Sequence, residues 1–474
     1  MILSTDLYGV LPMFVLACVS LLTLLLDAFN QENVNVSFTV TICGILATLF
    51  LTYLQPAQSP VFNGMILVNH STKFLSLVVL AGAFFSAVLS QHYLKKMNAY
   101  CGEYYVLILF ATLGMLMLVC AGDLLIIFIG IELMSLSFYV LAGFMRKRSS
   151  SNESAIKYFL LGAFATGFLL YGIALLYGAS GTTNIDALTS KLDALETSTF
   201  FWLGIGLLFV GFAFKIASAP FHMWAPDVYE GAPTSSTGFM ASAGKTAAFS
   251  GLLVVFAGIL SHQSGMFSSQ KISTMIAIIS AASMILGNVI AIAQTNIKRM
   301  LAYSSIAHAG YMLAGLAAGS AYGSNGIMFY LAAYTLMTLG SFGIISLVEN
   351  TEEKNISLND YAGLSNKQPA LAAMMAIFMF SLSGIPPFEG FFGKYYVFAA
   401  AVQGGYMWLA ILGVLTSCIA AYYYLRVIVL MYFKDNEAEI LVSTSRTSFV
   451  ALSVVACGVV VFGMFPSLLT TLFQ

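Results

Sequence analysis

The stretch FKIASAPFHMWAPDVYEGAPT (Phe214–Thr234) interrupts an apolar chain with a lysine, three prolines, a histidine and two acids. Its setting decides the fold. Hydrophobic residues make up 59% of the 474 residues and charged residues 8%, with a mean hydropathy of +0.91. A soluble domain carries about a quarter charged residues, so the composition implies an all-α polytopic membrane protein. A net charge of -1 leaves no basic surface for nucleic acid. The six cysteines (Cys18, Cys43, Cys101, Cys120, Cys418, Cys457) lie mostly in apolar runs with no CxxC. They read as buried small hydrophobes rather than disulfides or iron–sulfur ligands. No glycine-rich nucleotide loop follows a strand pattern, which argues against nicotinamide or flavin on this chain. The N-terminus lacks a basic region, so the first apolar run is expected to be a retained span.

Runs of roughly 20 apolar residues give fourteen expected spans, near 7–27, 34–54, 72–92, 104–120, 123–145, 155–178, 200–218, 234–260, 272–293, 298–318, 326–348, 369–402, 406–431 and 447–472. The stretches 181–198 and 349–368 read as charged loops, and SSSNES (Ser149–Ser154) as a polar linker that caps the sixth span. Alternate loops then collect Lys95, Lys96, Arg146, Lys147, Arg148, Lys157, Lys298, Arg299, Lys354, Lys367, Lys434 and Arg446, against only Lys73, Lys191 and Lys271 on the other side. This bias puts both termini, Gln474 included, on the non-cytoplasmic side.

Four basic residues remain inside spans: Lys215, Lys245, Lys394 and Arg426. Arg426 lies near a span end and can snorkel. The three lysines, with Glu132 in span 5, cannot. Glu132 is nine residues past Asp123, roughly 13–14 Å into the membrane at 1.5 Å per residue. An ionised group at a helix centre costs about 2.5–3.5 kcal/mol, so four unpaired ones would cost on the order of 10 kcal/mol. Such groups pair, meet water or change protonation, which is the physics of a proton relay. A lock between helices is the plainer alternative. His308, in the hydroxyl-rich KRMLAYSSIAHAGYM, is either a relay group or a satisfied core residue. His222 follows the span-7 break and is expected near the cytoplasmic face.

Span 7 is broken by Ser218–Pro220, and span 12 (FSLSGIPPFEGFFGKYYVF) by Gly384, Pro386 and Pro387. Proline removes a helix hydrogen bond, and in lipid the freed backbone is tolerated only where protein or water satisfies it. Paired broken helices beside ionisable residues point to an ion path. Spans 4–8 and 9–13 form two blocks of five. An odd count inverts the second block, and SAPF in span 7 then matches IPPF in span 12. The expected organisation is a three-helix segment (1–103), a first repeat (104–260), an inverted repeat (261–431) and a C-terminal helix (432–474).

FKxxxxPFHxWxPDVYEGAPT, AGKTAAF (Ala243–Phe249), NIKRMLAYSSIAHAGYM and GIPPFEGFFGK, in this order, resemble the antiporter-like membrane subunits of respiratory complex I, relatives of multi-subunit sodium/proton antiporters. Within that superfamily the chain most resembles the subunit N family. Subunit L continues into a long lateral helix, for which no sequence remains after span 14, and subunit M carries glutamate where Lys394 stands. The resemblance implies that Glu132 pairs with Lys215, that Lys245 is the central lysine and that Lys394 faces the far-side exit. It also places Lys298 and His308, both in the span-10 motif, among the relay groups.

The resemblance further implies proton translocation driven by electron transfer elsewhere. FMN, iron–sulfur clusters, NADH and quinone would belong to other subunits, and none to this chain. Expected partners are neighbouring antiporter-like and small membrane subunits in a bacterial inner membrane. A cation/proton antiporter, a membrane-bound hydrogenase and a passive scaffold are the competing readings.

Overall fold

The computed structural model describes residues 4–29, 33–57, 60–262, 269–350, 356–434 and 445–473; Lys354 and Gln474 lie outside the described residues. Three long helices come first: α1 (Ser4–Phe29), α2 (Val34–Leu54) and α3 (His70–Lys96). The next group is α4 (Glu103–Val119), α5 (Leu124–Ala142), α6 (Ser149–Ser180), the short α7 (Ile185–Thr189) and α8 (Leu192–Leu195), then α9 (Thr199–Lys215), α10 (Trp224–Gly231), α11 (Thr234–Phe239) and α12 (Lys245–Ser261). The chain continues through α13 (Gln270–Ile292), α14 (Ile297–Ala317), α15 (Ala321–Val348), the short α16 (Leu364–Lys367), α17 (Pro369–Ser383), α18 (Glu389–Gln403), α19 (Met407–Phe433), α20 (Arg446–Met464) and α21 (Ser467–Thr470).

Among the described residues, ten helical segments are long and apolar enough to cross a membrane; α4, α9 and α17 are apolar but shorter. Helix is what an apolar environment requires, because it pairs every backbone group internally. Polar side chains inside follow the same rule. Thr48, Thr112 and Ser250 donate to carbonyls four residues back, at 2.9, 2.7 and 2.8 Å. Phe14, Phe50, Leu136 and Phe164 instead face outward. The centre is α15, whose most apolar stretch is 94% buried, with α11–α12 beside it at 83%; α1 and α2 are peripheral at 28% each.

Two places echo each other. Asp123 caps α5 and bridges to Asn184 in the loop after α6; Asn296 caps α14 and bridges to Ser357 in the loop after α15. The helix pairs α4–α5 and α13–α14 both pack along their length. Gly114 and Gly130 let the first pair touch backbone to backbone, since a Cβ on Gly114 would lie 2.6 Å from the Met134 nitrogen.

Several expectations are corrected. Ser149–Ser154 is not a linker but the first turns of α6, and the helix has no side-chain cap. The loop 181–198 contains α7 and α8, whose Ile185, Leu188, Leu192 and Leu195 are buried. The loop 349–368 contains a 3-10 turn at Leu358–Tyr361 and α16. Span 8 is not one regular helix: Met240–Gly244 is a π-helical turn ending at Lys245. All six cysteines are free, but only Cys120 is buried, while Cys18, Cys43, Cys418 and Cys457 lie outward.

Candidate functional site: a line of buried lysines

Lys215 is the last residue of α9, where the chain leaves the helix and turns through Pro220 before α10. Its Nζ donates to the Ser135 hydroxyl at 2.8 Å and to the Tyr139 hydroxyl at 3.3 Å, and lies 5.5 Å from the Tyr139 ring. Both partners belong to α5, the helix of Glu132. The lysine and Glu132 themselves are not joined: the ion pairs among the described residues do not include Glu132. Its Oε1 is buried with no hydrogen-bond partner. Glu132 is near enough to act on Lys215 electrostatically, but no ion pair within 4.0 Å joins them among the described residues. The reason is register. Ser135 and Tyr139 lie one and two turns along α5, and the lysine reaches them instead. Glu132 lies beside the outward stripe of Leu125, Ile129, Leu136 and Val140.

Lys245 follows the π turn. A π turn opens the helix ladder and is frequent at functional sites; here the small residues of Ala241–Gly244 allow it. The Lys245 Nζ donates to the Ser305 carbonyl at 2.7 Å and to the Ser305 hydroxyl, and lies 5.5 Å from the Tyr334 ring. Three residues further along α14, His308 bonds through Nδ1 to the Tyr330 hydroxyl at 2.7 Å and through Nε2 to the Tyr424 hydroxyl at 3.0 Å. Tyr424 also shares a hydrogen bond with Ser304. His308 packs edge-on to Tyr311 at 5.5 Å, and the Tyr311 ring lies 5.2 Å from the Lys394 Nζ. Hydroxyl and imidazole groups thus fill the space between the two lysines.

Lys394 sits on α18 beyond the break at Pro386 and Pro387. Its Nζ donates to the Leu382 and Ser383 carbonyls at 3.0 and 2.8 Å and to the Ser417 hydroxyl at 2.8 Å. The carbonyls at the end of α17 lack helix partners, so the lysine satisfies them. Lys215, Lys245 and Lys394 are 7%, 2% and 5% exposed. Among the described residues, none of the three has a carboxylate within ion-pair reach.

Lys298 lies in the first turn of α14. It is buried, and donates to the Ala232 carbonyl at 2.8 Å. Around it α10 is tied down by charge. Asp227 accepts from Lys157 at 2.7 Å and from Arg299 at 2.8 Å, and Arg299 also reaches Glu230 at 2.7 Å. Burial alone would raise the Asp227 carboxyl, but hydrogen bonds from Lys157 and Arg299 outweigh it and hold it below the usual value. His222 is half-buried, with Nδ1 unpartnered.

Sequence reasoning passed over three features: the π turn, and the carboxylates Glu349 and Glu389. Glu349, at the end of α15, is 1% exposed; it pairs with Arg148 at 2.9 Å and accepts from Tyr93 at 3.1 Å and from Thr234. Glu389 is fully buried. An acid inside GIPPFEGFFGK was a readable signal. Among the described residues, no group of three or more His, Cys, Asp or Glu side chains could hold a metal ion.

Residues 121–420 match the family described as NADH:quinone oxidoreductase/Mrp antiporter, transmembrane. The chain is 44% identical to NADH-quinone oxidoreductase subunit N 1 of Chloroherpeton thalassium over 465 residues, covering 98% of this chain and 97% of the relative. It is 46% identical over 411 residues to NADH-quinone oxidoreductase subunit N of Trichlorobacter lovleyi, covering 86% and 83%. Among solved structures, a chain of respiratory complex I from Thermus thermophilus superposes with a TM-score of 0.84 at 33% identity, covering 97% of this chain and 98% of the other. A chain of the Mrp complex from Dietzia shares the fold, with a TM-score of 0.84 at 19% identity over 98% and 96%. Its helical membrane fold, motifs and relatives agree: the chain belongs to the NADH-quinone oxidoreductase subunit N family of antiporter-like membrane subunits.

Proposed function

We propose that the chain carries protons across a bacterial inner membrane as a non-redox subunit of NADH:quinone oxidoreductase, through Glu132, Lys215, Lys245 and Lys394, with His308 in the path between the last two. The observation that carries this reading is that three lysines lie buried in separate membrane segments, each hydrogen-bonded to carbonyl or hydroxyl oxygens with no carboxylate within ion-pair distance among the described residues. Such partners stabilise an ammonium without committing it to a fixed counter-charge. A change of charge nearby then decides whether the lysine keeps its proton. Lys298, buried at the start of α14, is a less direct participant, tied to the Ala232 carbonyl.

Fourteen crossings and two inverted five-helix repeats (104–260 and 261–431) go with this reading, flanked by a segment over 1–103 and a final helix over 432–474. Support comes from the matched breaks before α10 and before α18, and from the matched ties Asp123–Asn184 and Asn296–Ser357. The even count and the lysine and arginine bias put both termini on the non-cytoplasmic side. Glu132 beside an outward stripe supports a neighbouring membrane subunit packed there. Electron transfer through FMN, iron–sulfur clusters and quinone would lie in other subunits. Purification of the assembled complex tests membership: the chain should co-purify with NADH–quinone reductase activity. Purification with antiporter subunits and no redox activity would overturn the reading.

A further inference from the structure

Glu389 is the first residue of α18, in the break between α17 and α18, and it is 0% exposed. Neither carboxyl oxygen has a hydrogen-bond partner. A carboxylate left in this way is not a stable resting arrangement, because a buried charge demands a proton, a donor or a counter-ion. The surroundings are tight. The Gly390 N–H donates to the Ser381 hydroxyl at 3.2 Å, and a Cβ on Gly390 would lie 2.0 Å from the Ser381 carbonyl. Phe388 stacks on Phe380 with ring centres 6.0 Å apart, and α20 packs at Gly463 onto the Pro387–Glu389 backbone.

The same turn of α17 meets Lys394 from the other end. Ser381 contacts the Glu389–Gly390 backbone, while Leu382 and Ser383 accept from the lysine. One acid and one base therefore flank the last turn of α17, and neither has an ion-pair partner among the described residues.

We propose that Glu389 is a further proton-carrying residue of this subunit, exchanging a proton with Lys394 across the span-12 break. No direct hydrogen bond joins the two side chains, so the exchange runs through a bridging water: an N–H bond of the Lys394 ammonium breaks as its proton passes to the water, and the water gives up one of its own protons to form an O–H bond on the Glu389 carboxylate. Ammonium and carboxylate become amine and carboxylic acid, the proton count of the pair is unchanged, and its net charge stays at zero. The break gives the second half an acid and a base of its own, as the first half has Glu132 and Lys215, with no ion pair joining either set in this structure.

The inference rests on the relay reading, and the test keeps the two apart. Complexes carrying Glu389→Gln, Glu389→Asp or Lys394→Met are assembled in membrane vesicles, and proton uptake is measured against NADH oxidised. The expected result is a severalfold lower proton yield per NADH oxidised for Glu389→Gln and Lys394→Met, read from whatever quinone reduction remains measurable, with Glu389→Asp retaining most of the yield. A normal yield for Glu389→Gln beside a lowered one for Lys394→Met overturns the Glu389 proposal alone. A normal yield for Lys394→Met overturns both. Equal loss or failed assembly in Glu389→Gln and Glu389→Asp also overturns the proposal, since the carboxyl would not then be what matters.

Discussion

Replacing Lys245 by methionine separates a proton carrier from a helix lock. Methionine keeps most of the side-chain volume and carries no proton. The change removes the donations to the Ser305 carbonyl and hydroxyl. Hydrogen bonds from a charged donor contribute about 1.5–3 kcal/mol each. It also removes the desolvation cost of an ammonium 2% exposed, which is several kcal/mol for a buried ion. The two terms oppose each other at similar size, so the net change in stability should stay within about 2 kcal/mol. The complex should assemble, melt near the parent temperature and reduce quinone, while protons moved per NADH fall severalfold. Dye-quench proton uptake and NADH oxidation in the same vesicles read both quantities. A normal proton yield would refute the reasoning. So would a strongly destabilised complex whose remaining assembled fraction pumps normally, because Lys245 would then be a packing lock.

Other perturbations reach the supports of the site. Gly390→Ala pushes a methyl into the Ser381 carbonyl, 2.0 Å away, and should lower stability by about 1–3 kcal/mol as overpacking, seen as a lower melting temperature. Arg148→Ala leaves Glu349, 1% exposed, without its ion-pair partner, with Lys96 acting on it from further off. Loss of one partner of a buried pair costs about 3–5 kcal/mol; the arginine is 18% exposed, which favours the lower end. Adding Glu349→Gln should recover part of the loss, and a double-mutant cycle by thermal unfolding checks it. Asp227 sits below the usual carboxylate value in the fold, so its ties to Lys157 and Arg299 contribute stability at neutral pH. That contribution should persist down to about pH 4 and be lost as pH falls through the depressed value. Asp227→Asn should abolish this acid-side dependence in a pH series of melting temperatures.

Much of this was legible because lipid imposes simple rules. Continuous apolar runs had to be helices, and Lys215, Lys245 and Lys394 stood out because each lies within such a run. The prolines at 220, 386 and 387 marked where helices stop. What escaped depends on how helices meet. Whether Lys215 reaches Glu132 or Ser135 turns on the register between α5 and α9, a matter of one helical turn. Nothing in Ala241–Gly244 distinguishes a π turn from an ordinary one, since small residues fit both. Glu389 fell inside the expected span 12 and Glu349 in an expected charged loop; what buries them is packing, of α20 at Gly463 against the Pro387–Glu389 backbone and of Arg148, Tyr93 and Thr234 around Glu349.

The most direct test of proton carriage is the number of protons moved per NADH oxidised by the assembled complex carrying Lys215→Ala or Glu132→Gln. A relay through these groups predicts a clearly lower ratio with quinone reduction still measurable in the same vesicles; an unchanged ratio in both variants would contradict it.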